Sequence, residues 1–244
     1  MGATLAILHH LTHPFLGAAE APLRAAGLEL DERDLRRGDA LPALDEVDGI
    51  LSLGGEESVT EIERYPYLVA EAELLGEAVE RELPVLGICL GAQLLAHALG
   101  AEVTRLPRRT VVWNQLDALA GANGDPLLAV LPRPVPALHW NEDGFALPAG
   151  AVELLERAGQ GVEAFRAGRC AWGLQFHPDV DAAVLEEWYS AYGGWLAEAG
   201  VDEADARAAD ARCLGVAGEA SAGWFGAFSR VVVSEAARTS TAAG

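Results

Sequence analysis

Residues 84–97 read Pro-Val-Leu-Gly-Ile-Cys-Leu-Gly-Ala-Gln-Leu-Leu-Ala-His, an apolar run of strand length that breaks at glycines around a cysteine and resumes with helical spacing. A buried strand that turns at once into a helix is a unit of layered α/β sheets. The rest of the chain supports that reading. Strand-like runs fall at 3–9, 28–33, 47–53, 84–88, 110–116, 135–139, 152–156, 162–166 and 171–176, and the early ones alternate with helical stretches near 15–26, 61–82 and 90–99. The alternation predicts an α/β fold: a doubly wound, mostly parallel sheet with helices on both faces. Shorter strands between 110 and 176 predict an antiparallel excursion. In such sheets ligands bind at the C-terminal ends of strands, where Gly54, Cys89 and His177 fall.

The turn at Cys89 carries chemistry. A nucleophile at a strand-to-helix turn stands clear of the sheet, and the free amides of the next helix face any charge that develops beside it. Gly87 and Gly91, two residues to either side, give room where the turn is tightest. The amides of a helix N-terminus and a neighbouring imidazolium both favour thiolate over thiol. Far downstream, Ala171-Trp172-Gly173-Leu174-Gln175-Phe176 reads as a buried strand running into His177-Pro178-Asp179. Pro178 cannot extend a ladder and fixes the chain direction, so that His177 and Asp179 can point into one site. Base beside nucleophile, with a third group orienting the base, is what nucleophilic catalysis requires. Taken singly, the cysteine has a buried structural thiol as its lesser reading, whereas a lone strand-end histidine is more often a packing or capping residue.

Together these residues resemble the class I glutamine amidotransferases, whose signatures are a G-x-C-x-G-x-Q elbow and a Q-F-H-P-E segment. Here they stand as Gly87-Ile88-Cys89-Leu90-Gly91-Ala92-Gln93 and Gln175-Phe176-His177-Pro178-Asp179. Leu51-Ser52-Leu53-Gly54-Gly55 looks like the family's glycine-rich oxyanion strand. The likeness runs from the first strand to about residue 195 and is nearest the stand-alone branch related to the amidotransferase domain of GMP synthase. Leu8-His9-His10, the segment from Ala137 to Asp143 with Leu147-Pro148, and Ala171-Trp172-Gly173 mark that branch. Two departures stand out. Asp179 replaces the family's glutamate, shorter by one methylene, and Asn141-Glu142 stand where relatives tend to have His-Gly, which bears on substrate identity more than on chemistry.

The resemblance implies a flavodoxin-like fold and hydrolysis of glutamine or another γ-glutamyl amide through a γ-glutamyl thioester. Cys89 would be the nucleophile, His177 the acid and base, and Asp179 its orienting carboxylate. The Gly55 and Leu90 amides would form the oxyanion hole, and Gly54, Gln93 and His139 would help bind substrate. His139 is also the one competitor to His177 as base, without an adjacent Pro-Asp to orient it. No cofactor or metal is expected. Two functional alternatives stay open: a glutaminase subunit that supplies ammonia to a separate synthase, and a regulatory or binding module that kept the fold and lost the chemistry.

Composition bounds the partners. The formal net charge is −20, which leaves nucleic-acid binding without its electrostatic basis. There is no apolar run near the ~20 residues that span a bilayer, and Met1–Leu8 lacks a basic n-region and reads as the first buried strand, so cytoplasm is the expected compartment. Cys89, Cys170 and Cys213 have no metal-ligand spacing. His9, His10 and His13 crowd the first strand end, but adjacent strand residues point to opposite faces. Arg105, Arg108 and Arg109 read as a solvated turn, with a site for an anion as the lesser reading.

The expected organisation is an amidotransferase-like domain over 1–199, closed by a helix from Asp181 to Ala199, and a helical C-terminal extension over 200–244. The extension suggests two helices, near 202–214 and 217–236, with Thr239–Gly244 frayed. Trp224, Phe225 and Phe228 are expected to dock it on the domain, although an oligomer or partner contact would use the same residues.

Overall fold

The computed structural model describes residues 2–129, 131, 133–157 and 161–242. Its strands are β1 (Thr4–His10), β2 (Glu29–Asp34), β3 (Gly49–Gly55), β4 (Val85–Ile88), β5 (Val103–Ala118), β6 (Val135–Phe145), β7 (Val152–Glu156), β8 (Val162–Ala167) and β9 (Ala171–Leu174). The helices are α1 (Glu20–Ala25), α2 (Pro66–Glu80), α3 (Leu90–Ala98), α4 (Ala182–Tyr192), α5 (Gly194–Ala199) and α6 (Glu203–Ala242). One sheet runs in the order β2-β1-β3-β4-β9-β8-β7-β5-β6. Its first five strands are parallel, and from β9 onward each pairing is antiparallel.

The central strands are apolar throughout because both faces are covered. Successive side chains on a strand point to opposite faces, so Val85 and Ala171 join α2 and α3 in one core, while Leu86, Ile88, Trp172 and Leu174 join α1 and α6 in another. A third core packs Val111, Leu138 and Trp140 against Val184, Leu185 and Trp188 of α4. Strands β4 and β9 lie side by side in register, Val85 opposite Ala171 and Ile88 opposite Leu174. The two chain segments that carry Cys89 and His177 therefore leave the sheet as neighbours.

Several boundaries differ from expectation. The stretch expected as one helix over 61–82 begins as a 3₁₀ segment, Val59–Arg64, and becomes α-helical at Pro66, because the residue before a proline is steered away from helical geometry. The helix expected to run from Asp181 to Ala199 breaks at Gly193 into α4 and α5. Strand β5 starts at Val103, not near 110, and shifts register between Arg105 and Thr110. Arg105 and Arg109 consequently sit in a strand and pair with Glu142, Asp143 and Glu198 rather than forming a solvated turn.

The extension is one unbroken helix, α6, in place of two. Gly215 and Gly218 suggest a break, since each glycine costs a helix about 1 kcal/mol relative to alanine. Both face solvent, and packing on either side outweighs them: Ala217, Ala220, Trp224, Phe225, Phe228 and Val232 are buried. The helix reaches Ala242, so residues 239–242 are helical, and 243–244 lie outside the described residues. Among the described residues no helix is long and apolar enough to cross a membrane.

Candidate active site

Cys89 is the N-cap of α3 and holds φ 51° and ψ −104°. A left-handed φ at a residue with a side chain costs of order 1–3 kcal/mol and persists only where the surroundings enforce it. They do so here. The Cys89 amide donates to the Leu174 carbonyl of β9 at 2.8 Å, and its carbonyl accepts from the Gln93 amide at 2.9 Å to start the helix. Gly91 makes the turn possible: a Cβ there would collide with the backbone of Ser52 in β3.

The second arm comes from the end of β9. The His177 amide donates to the Leu138 carbonyl of β6 at 2.9 Å, and the Asp179 carbonyl accepts from the Ala18 amide at 2.9 Å. Ser221 of α6 donates its hydroxyl to the Pro178 carbonyl between them. With the backbone held on three sides, His177 Nδ1 donates to Asp179 Oδ1 at 3.2 Å. The imidazole meets the Trp188 ring edge-on, centroids 4.7 Å apart. Gly54 fits between the two arms: a Cβ there would stand 2.8 Å from His177 Cε1 and 3.7 Å from Cys89 Cβ.

Cys89, His177 and Asp179 are 6%, 4% and 4% exposed, so the three groups meet out of bulk solvent. Burial pushes the His177 pKa down, but the charges of Cys89 and Asp179 and the hydrogen bonds to both outweigh it and raise the value from 6.5 to about 10. A raised basic pKa has a definite sign. The imidazolium's stabilisation is complete below about pH 6.5 and is lost as the pH rises through about 10. The melting-temperature advantage of the wild type over His177→Gln is therefore expected to shrink as the pH is raised across that window, which thermal melts in a pH series would show.

Two adjoining recesses open over these residues. One is lined by Cys89, Leu90, Gln93, Asn141, Glu142 and Asp143; the other has His177, Trp188 and Tyr192 in its walls, and each is narrow, with room for about one water molecule. Gly55, Glu56, Trp140 and Trp195 border both. The site thus gathers Gly54, Gly55, Cys89, Leu90, Gln93, His177 and Asp179. His139 is held elsewhere: its Nε2 bonds Glu163 Oε2 at 2.6 Å, its Nδ1 meets Asn114 Nδ2 at 3.0 Å, and it lines neither recess. His10 bonds Glu71 at 2.6 Å and His9 bonds Glu32 at 3.2 Å, so the two adjacent histidines diverge as strand geometry requires.

This architecture has relatives. Residues 23–187 match the family model described as glutamine amidotransferase class-I. The chain belongs to that family. It is 31% identical over 186 residues to YfeJ, a glutamine amidotransferase-like protein of Salmonella typhimurium, covering 73% of this chain and 78% of the relative. It is 37% identical over 133 residues to the glutamine-hydrolysing GMP synthase of Thermomicrobium roseum, covering 54% of this chain and 23% of that longer protein. The crystal structure of a glutamine amidotransferase from Thermotoga maritima superposes with a TM-score of 0.83 at 27% identity, covering 95% of this chain and 99% of that one.

Sequence reasoning missed several residues of this amidotransferase-family site. Gln175 points its amide at the Cys89 sulfur at 3.9 Å and lies 3.5 Å from the Gln93 amide. Its place in the motif could have signalled this. Trp140 lies in the 137–143 segment that marks the branch, whereas Trp188 and Trp195 had no such signal, since they read as the packing face of the closing helix. Glu142 was recognised as a departure, but only the structure couples it to Arg105 at 3.1 Å and Arg109 at 2.8 Å.

Proposed function

We propose that this chain hydrolyses the side-chain amide of glutamine or of another γ-glutamyl compound with a Cys89, His177 and Asp179 triad. The observation that carries the reading is the thiol on a strained turn beside an imidazole whose far nitrogen is held by a buried carboxylate. Cys89 sulfur attacks the amide carbonyl carbon, and the carbonyl electrons move to oxygen, facing the Gly55 and Leu90 amides. Two such donors stabilise the oxyanion by about 3 kcal/mol each. As the C–N bond breaks, His177 gives its proton to the departing nitrogen, leaving a γ-glutamyl thioester. His177 then takes a proton from water, which attacks the thioester and returns the thiol with release of glutamate. Gln93 borders the acyl group beside Cys89, and Gly54 leaves room between the thiol and His177.

Asp179 is the family departure on which this scheme turns. Asp179→Asn is expected to lower kcat by roughly 10³ to 10⁴, because the amide favours the wrong imidazole tautomer. Asp179→Glu should retain most of the activity. Release of glutamate and ammonia from L-glutamine, followed at steady state for the three proteins, checks both, and full activity in Asp179→Asn would remove the aspartate from the mechanism.

The similarity to one stretch of a longer GMP synthase favours a second reading, in which ammonia passes to a separate synthase subunit. A purified partner that raises the glutaminase turnover of this chain would support it.

A further inference from the structure

The bond that orients the base has little slack. His177 Nδ1 and Asp179 Oδ1 stand 3.2 Å apart, at the long end of the range for an N–H···O hydrogen bond. Asp179 carries one methylene fewer than a glutamate, so its carboxylate cannot follow the ring if the backbone beneath it moves. The length of that bond is therefore set by what holds residues 177–179.

Besides β6, two elements hold them. The short turn Gly17–Ala19 comes so close that a Cβ on Gly17, whose φ is 51°, would collide with the Asp179 carbonyl oxygen, which accepts from the Ala18 amide at 2.9 Å. The other element is α6. Ser221, 2% exposed, points its hydroxyl at the Pro178 carbonyl and also lies 2.8 Å from the Ala217 carbonyl of its own helix. A serine inside a helix finds an acceptor four residues back without any outside partner, so the second acceptor, in a distant segment, is the informative one. Pro178 is buried, and among the described residues no backbone amide donates to its carbonyl. Packing fixes both elements together, since Ala220 and Trp224 of α6 share a core with Leu16 and Ala19. Ser221 lies beyond residue 187, where the match to the amidotransferase family model ends.

We propose that Ser221 is a positioning residue for the triad: by holding the Pro178 carbonyl, the C-terminal extension keeps the shorter carboxylate of Asp179 within reach of His177. This rests on the γ-glutamyl hydrolase reading above. Ser221 acts through Asp179 and touches none of the reacting atoms. A glutamate at 179, with one more rotatable bond, takes up a small displacement and depends less on that hold.

The test reads the effect of Ser221→Ala in two backgrounds. With Asp179 present, kcat for L-glutamine should fall about tenfold while KM stays within about twofold, because the base loses its orientation and the substrate keeps its contacts. In the Asp179→Glu background the same substitution should cost less than about threefold. Alanine favours the helix, and thermal melts check that both proteins stay folded. A kcat unchanged by Ser221→Ala, or lowered equally in both backgrounds, would overturn the proposal. The bond is also read without turnover, by NMR titration of ¹⁵N-labelled histidine rings with His177→Gln to assign the signal. The charges facing this ring are Cys89 at the elbow and Asp179 on its own segment, while Trp188 of α4 meets it with a neutral edge. Loosening Asp179 should therefore lower the His177 midpoint by about half a pH unit in Ser221→Ala and by less in the Asp179→Glu background. An unmoved midpoint would overturn the proposal. Absence of turnover in the wild type would overturn the hydrolase reading, and the titration would still decide whether Ser221 holds Asp179 to His177.

Discussion

Replacing Cys89 with alanine is expected to lower glutamine hydrolysis by about five to six orders of magnitude, as removal of a nucleophile from a triad does elsewhere. That corresponds to roughly 7–8 kcal/mol of transition-state stabilisation. No neighbour can stand in for the sulfur: Gln175 reaches it only through an amide, and Gly54 and Gly55 carry no side chain. The protein should stay folded, because the backbone hydrogen bonds at Cys89 to Leu174 and Gln93 do not involve the thiol. Glutamate and ammonia release by wild type and variant, with thermal melts as the control for folding, makes the comparison. An alanine variant as active as wild type would exclude the covalent scheme. Labelling of the wild type, but not the variant, by a γ-glutamyl electrophile would identify the thiol even if turnover awaited a partner.

Replacing Trp224 with alanine is expected to destabilise the protein by about 3–5 kcal/mol, the range for deleting a fully buried aromatic side chain. For a chain of this size the melting temperature should fall by roughly 10 °C. Trp224 is 1% exposed, and its ring lies 5.8 Å from that of Phe176, the residue before His177. Phe225 and Phe228 are fully buried on the same helix. The helix also reaches the site directly, since Ser221 holds the Pro178 carbonyl. Loss of Trp224 should therefore lower kcat in the fraction that remains folded. An unchanged melting temperature in calorimetry would mean that α6 contributes little to the core.

The Asn141-Glu142 departure also has a physical role. The Asn141 amide donates to the Asp143 carbonyl at 2.9 Å in the wall of the recess beside Cys89, while its own Oδ1 is buried without a partner. Glu142 joins Arg105 and Arg109 in a charged cluster whose far end braces Trp195. A glycine at 142 would leave both guanidiniums without that carboxylate and the tryptophan less firmly held.

Local pattern determined much of this protein. Apolar runs bounded by glycine and proline marked β1, β3, β4 and β9. The glycines around Cys89 placed it on a turn, and Pro178 ended the strand before His177, because steric and propensity effects act within a few residues. The motif resemblance named the family from the same residues. Tertiary structure decided the rest. Only the register of β4 against β9 brings Cys89 and His177 together, and only packing carries α6 across Gly215 and Gly218 as a single helix. Only contacts between distant segments assign His139 to Glu163 and set Trp188 and Trp195 beside Trp140, where one side of this core borders a recess. A hydrophobic pattern states that a side chain is buried; which chain segment covers it depends on topology, and topology is set by contacts that no local window contains.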